Sequence, residues 1–211
     1  TPTDSFSPEV RQKAENVVAN LLPLPPSSQI DARVNELVTE LEGEQRRTAR
    51  SELARIGGPA VPTLLAALSV TQTSYRTRLG VIAALALMDP SVKIPAAGMK
   101  DVVRLLSDPD SLIRETTVKF LGNLADRESM TAAQDVLFDN LEHLSDRMRT
   151  YNTVRVLGVW LQRKDLEGVP SAGRVLSKLE DTKSRLVPAE RWHGTIALID
   201  SYLGTAKIGP K

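Results

Sequence analysis

Residues Asp101–Ala125 read DVVRLLSDPDSLIRETTVKFLGNLA, and this stretch decides the fold. Its first half sets Val102, Val103, Leu105 and Leu106 on one side of a short helix. Asp108, Pro109, Asp110 and Ser111 then break that helix and cap the next, because Asp and Ser side chains accept hydrogen bonds from the free N–H groups of a first turn. In the second half Ile113, Thr117, Leu121 and Leu124 recur at offsets of four, four and three, which holds them on one helical stripe. The unit is an αα-hairpin with its apolar faces inward. One hairpin cannot bury that surface alone, so copies of it must stack.

Working outward, the triad Arg114, Leu121, Leu124 has counterparts at Arg46/Leu53/Ile56 and Arg78/Leu85/Met88. Thr150/Leu157/Trp160 keeps the apolar pair with Arg149 one step earlier, and Arg191/Leu198/Ser201 keeps two of the three. The leucines are 32, 36, 36 and 41 residues apart. A shorter apolar helix precedes each: Val34–Leu41, Val61–Leu68, Val102–Leu106, Val136–Leu144 and Val175–Leu179. Breakers separate the segments at Gly43, Gly57-Gly58-Pro59, Thr71–Ser74, Asp89-Pro90, Pro95, Asp108-Pro109, Asp126, Ser145-Asp146, Gly168–Pro170 and Val187-Pro188, and no β-branched alternation intervenes. The reading is an all-α solenoid of about five helical hairpins spanning 29–211. Residues 1–28 stand apart. Ser7-Pro8-Glu9 starts a helix to about Leu22, and the prolines of Pro23–Ser28 make a stiff connector.

PTLLAAL and VVRLLSDPDSLIRETTVKFLGNL resemble HEAT repeats, in which a leucine-rich helix leads through an Asp-Pro turn to a helix opening with an aliphatic-Arg pair. Ile113-Arg114 after Asp108-Pro109-Asp110 is the fullest match and the fifth unit departs most. The resemblance implies an armadillo-like α-α superhelix whose second helices line a concave face that commonly holds protein partners. It implies no particular function. It also implies that the arginines opening the second helices, Arg46, Arg78, Arg114 and Arg191, bond between repeats to turn acids such as Asp108, Asp110, Asp146 and Asp181; they are read as scaffold, not as an anion-binding ladder.

Composition narrows the function classes. Of 211 residues, 27 are basic and 26 acidic, and the two signs stay balanced along the chain, so no global field draws it to nucleic acid or anionic lipid. The longest apolar run, Leu79–Met88, is about half a membrane span. There is no cysteine, which excludes disulfides and thiol chemistry. Residues 1–10 lack a basic n-region and an apolar h-region; a mature exported chain and a segment of a longer one would begin alike.

His143 and His193 are the only histidines, and neither has the partners a metal site needs; no metal and no cofactor is expected. The same holds for phosphate loops and nucleophile elbows. Some HEAT-like proteins are enzymes, but the deoxyhypusine hydroxylases carry several His-Glu pairs, and the DNA glycosylases need a basic, aromatic-rich groove. Aromatics here are 4%. The chain is therefore read as non-enzymatic, the rival being an enzyme or lyase with a cleft between Arg155 and His193.

Counting the residue before each arginine position as zero, core contacts fall at offsets zero, four, eight and eleven, and offsets two, six and ten face away. The outward stripe is Arg47/Ser51/Arg55, Leu79/Ala83/Leu87, Glu115/Lys119/Asn123, Tyr151/Arg155/Val159 and Trp192/Ile196/Asp200. Leu79, Tyr151, Arg155, Val159, Trp192 and Ile196 are the candidate contacts for a protein or peptide, since grouped aromatic and arginine side chains carry most binding energy. The competing reading is that Leu79, Trp192 and Ile196 are covered by neighbouring helices or tails.

Overall fold

The computed structural model describes residues 29–70, 73–144, 146–163, 172–186 and 190–207. The expected N-terminal helix and proline connector lie outside them, as do the breakers at 168–170 and 187–188. The described residues form ten α-helices and no strand, as the periodicity requires. Several begin where a short polar side chain can cap them. Asp110 accepts from the Leu112 and Ile113 N–H groups at 2.8 and 3.1 Å, Asp126 from Ser129 at 2.7 Å and Asp146 from Arg149 at 2.9 Å. Ser74 does the same for Thr77 at 3.1 Å.

The chain divides into two compact units at Asp89/Pro90. The first contains α1 (Ile30–Glu40), α2 (Arg46–Ile56), α3 (Val61–Ser69) and α4 (Tyr75–Leu87). These are two hairpins in which α1 packs on α3 and α2 on α4. Leu37, Leu41, Leu53, Leu64, Ile82 and Leu85 are at most 1% exposed and fill the space between them. Arg33 of α1 forks onto the nearly buried Glu52 of α2, donating from Nε at 2.9 Å and Nη2 at 2.8 Å.

The second unit holds α5 (Ala96–Arg104), α6 (Ser111–Asn123), α7 (Arg127–Glu142), α8 (Arg147–Gln162), α9 (Ala172–Arg185) and α10 (His193–Lys207). It makes two layers: α5, α7 and α9 in one, α6, α8 and α10 in the other. Hydrogen bonds across hairpins reach carbonyls at or near helix ends, where the regular N–H partners run out. Asn152 Nδ2 donates to Leu106 O at 2.8 Å, Trp160 Nε1 to Leu121 O at 2.9 Å, Arg163 to Gly122 O at 2.9 Å, and Arg185 to Leu141 O at 2.8 Å. In the first unit Arg76 serves Glu42 O in the same way at 2.7 Å.

Three of the opening arginines bond carbonyls of their own turns. Arg114 turns Nη1 onto the carbonyls of Asp108 and Pro109 at 2.7 and 2.8 Å, within its own turn; Arg46 reaches Gly43 O at 3.2 Å and Arg78 reaches Thr73 O at 2.6 Å. Asp110 and Asp146 are taken up as helix caps, and Asp181 lies inside α9 beside Arg185 at 3.0 Å. Arg191 sets its guanidinium 5.2 Å from the Trp192 ring centre.

In α8 the close approach of α10 depends on Gly158. A Cβ there would fall 1.9 Å from Tyr202 Cζ, so only a bare backbone admits the ring. Gly158→Ala should therefore cost about 1–3 kcal/mol of unfolding free energy through overpacking. Gly204→Ala, in the open on α10, should be neutral or stabilising by up to about 1 kcal/mol. Urea unfolding of the two variants separates these outcomes.

Candidate functional site

The offset rule holds through four hairpins. Leu53, Leu85, Leu121 and Leu157 are all at most 1% exposed, and Glu115, Lys119 and Asn123 face solvent. The fifth departs by one residue. In α10 the buried positions are Thr195, Ile199 and Leu203, Leu198 is half-buried, and Trp192, in the short 3-10 turn Glu190–Trp192 before the helix, is 4% exposed. The 3-10 turn is wound more tightly than an α-turn, which rotates the helix start and carries the indole into the packing. Trp192 thus belongs to the core side of its hairpin, and Ile196 is half-buried.

On the α6/α8/α10 layer, Tyr151, Arg155 and Val159 follow one another along α8, each half-buried. Val159 lies over Gly122 of α6, with Cγ1 2.9 Å from where a Cβ would stand, so α6 and α8 are drawn together here. Across that seam Arg155 makes a two-pronged pair with Glu115 of α6, Nη1 to Oε1 at 2.6 Å and Nη2 to Oε2 at 2.7 Å. Nη1 also donates to Asn152 Oδ1 at 3.2 Å, and Asn152 is 2% exposed and anchored on Leu106 O. The guanidinium is therefore aimed from beneath by a fixed amide. Its side chain is 27% exposed and that of Glu115 58%.

Tyr202 reaches the same place from α10, because its ring covers Gly158. Burial pushes its phenol upward in pKa, opposed by the nearby Arg155 charge. The hydrogen bonds from Arg155 hold the Glu115 carboxyl below its usual range, and Glu115 raises Arg155 in return. The result is an ion pair between α6 and α8, with two tyrosines close enough to feel its charge. It can offer aromatic surface, phenol hydroxyls and a planar charged fork.

Sequence reasoning placed Tyr151, Arg155 and Val159 on one stripe, and the structure puts them there. It did not pair Arg155 with Glu115, although both lie on outward positions of successive hairpins with opposite charge. Tyr202 was missed. The available signal was Gly158, a bare position inside an otherwise bulky helix.

Leu79 is half-buried on α4 of the first unit, where Leu87, two turns on, is 60% exposed. His193 is exposed at the start of α10, and His143 Nδ1 lies 3.1 Å from Asp139 O. Among the described residues no three His, Asp or Glu side chains are grouped to hold a metal ion, and no helix is long and apolar enough to cross a membrane. The other layer of the second unit carries an open groove beside Phe138, whose ring faces Arg174 at 5.9 Å and Lys178 at 6.0 Å. Lys178 is paired there with Glu142.

No family model matches the chain, and no curated protein sequence does. Among solved structures it is similar to an engineered protein determined by a structural genomics consortium, at 20% identity over 96% of this chain and 94% of that one, with a TM-score of 0.43. It is also similar to a designed armadillo repeat protein, at 15% identity over 95% and 96%, with a TM-score of 0.41.

The depressed Glu115 carboxyl fixes the sign of a pH effect. A group whose folded pKa is lowered adds stability above its unfolded value, near 4.3 for Glu, and loses it as pH falls through the folded value. Because Glu115 keeps more than half of its side chain in water, Glu115→Gln should cost at most about 1 kcal/mol at neutral pH. Urea unfolding of both proteins should show that difference shrinking as pH falls below about 4.3. A pH-independent gap would contradict this origin.

Proposed function

We propose that the chain is a non-enzymatic, HEAT-type repeat scaffold that docks a protein or peptide on the α6/α8/α10 layer, the side a HEAT-type superhelix would turn inward. The observation that carries this reading is the α8 stripe. Tyr151, Arg155 and Val159 are held half-exposed in a row by buried neighbours, with Tyr202 alongside. Tyrosine offers a large contact area for two rotatable bonds, and an arginine fixed by an amide loses little freedom on binding, so such a patch binds at low entropic cost. Ile196 extends the surface along α10. Leu79, with Leu87, is a second apolar strip, on the first unit. Trp192 supports the surface from within and makes no contact of its own.

The test is the double variant Tyr151→Ala/Arg155→Ala. Immobilised wild-type chain should retain a specific protein from native extract, and the variant should retain it at least about thirtyfold more weakly, a factor of about five or more per residue. Circular dichroism should show both proteins equally helical. An identical set of captured proteins at identical yield would end this proposal.

A further inference from the structure

Arg155 and Glu115 do not contribute equally to their pair. Arg155 is fixed independently of Glu115: Asn152 Oδ1 accepts from its Nη1, and Asn152 is itself buried and tied to Leu106 O at 2.8 Å. Glu115 has no such anchor among the described contacts. Its carboxylate is held by Arg155, on an exposed edge of α6, with more than half of its side chain in water. If the carboxylate swings away, the fork stays aimed at the vacated position.

The charges left behind are of one sign. Arg114 lies near enough to act on Glu115, and its hydrogen bonds go to neutral carbonyls. Lys119, one turn along the same stripe, is exposed. Asp200, the acidic residue on the α10 stripe, is already paired with Lys183 at 2.5 Å. Without Glu115 the α6/α8 seam therefore presents Arg155, Arg114 and Lys119, with Tyr151 on α8 and Tyr202 at its other flank.

We propose that Glu115 is an exchangeable internal occupant of the Arg155 fork, and that the partner replaces it with a carboxylate side chain of an acidic, extended peptide segment. This rests on the docking reading above and names the chemistry of what docks. The exchange conserves the two-pronged geometry that a guanidinium favours. It also returns Glu115 to water, so an outside carboxylate competes only against a side chain already more than half in water. Glu115 sets the threshold: it screens out neutral and basic segments and yields to acidic ones.

The probe is an end-blocked, fluorescein-labelled hexaglutamate peptide, followed by anisotropy at low salt, with hexaglutamine and hexalysine as controls. Glu115→Gln, which keeps the shape and removes the competing charge, should bind hexaglutamate about fivefold more tightly than wild type. Arg155→Gln in that background should abolish the gain, and Arg155→Lys, which keeps charge without the fork, should recover little of it. Asp200→Asn removes equal charge from the same layer and should leave affinity within about twofold. An uncharged peptide with a free C-terminal carboxylate should bind no better than hexaglutamine; tighter binding would mean that the fork takes chain ends, not side chains.

The inference is overturned if Glu115→Gln binds hexaglutamate no better than wild type, or if the gain survives Arg155→Gln. Should that happen while capture of the native partner still depends on Tyr151 and Arg155, the docking reading stands and only the acidic partner is lost. If capture shows no such dependence, the docking reading fails on its own test.

Discussion

The constraint on which this protein rests is that no hairpin can hide its own apolar stripe. Each of the described hairpins brings two amphipathic helices together, yet residues such as Leu121 and Leu157 are sealed only when helices of neighbouring hairpins lie beside them. Burying one such side chain is worth about 1.5–3 kcal/mol. Stacking is thus the source of stability and not a decoration on it. In the second unit the middle helix of its layer, α8, is enclosed on both flanks by α6 and α10, and nearly every residue between Thr150 and Trp160 is buried or half-buried.

That enclosure is also what creates the candidate site. A helix pressed from two sides needs small residues at the seams, and Gly122 and Gly158 supply them. The side chains filling the resulting gaps, Val159 and Tyr202, stand beside the remaining outward positions of α8. Arg155 then finds a carboxylate across one seam and an aromatic ring across the other. The polar cluster on this face follows from how tightly the helices are packed beneath it.

Much of this was legible in the chain. The spacing of Leu53, Leu85, Leu121 and Leu157 names positions that are all sealed, and the breaker residues Asp110, Asp126 and Asp146 stand at helix starts in the structure. The pattern failed where its local premise failed. In the fifth hairpin the 3-10 turn at Glu190–Trp192 advances the stripe by one residue, which is enough to take an indole from the surface to the core. Arg114 shows another limit: periodicity fixes where a side chain starts, but its guanidinium on a long stem bonds the carbonyls of Asp108 and Pro109. Tyr202 was invisible because its position is set by the absence of a side chain at Gly158, 44 residues earlier, and a pattern of apolar positions does not register absences.

The carbonyls at helix ends give the molecule a direction. In the first unit the donor that completes Glu42 arrives with Arg76, and in the second the donors for Leu106 and Leu141 arrive with Asn152 and Arg185, a lag of 34 to 46 residues in each case. Every one of these donors comes from later in the chain than the helix end it completes. During synthesis, then, a newly emerged hairpin stays unfinished until its successor clears the ribosome. Completion of these carbonyls consequently runs backward along the polypeptide, from each hairpin to the one before it.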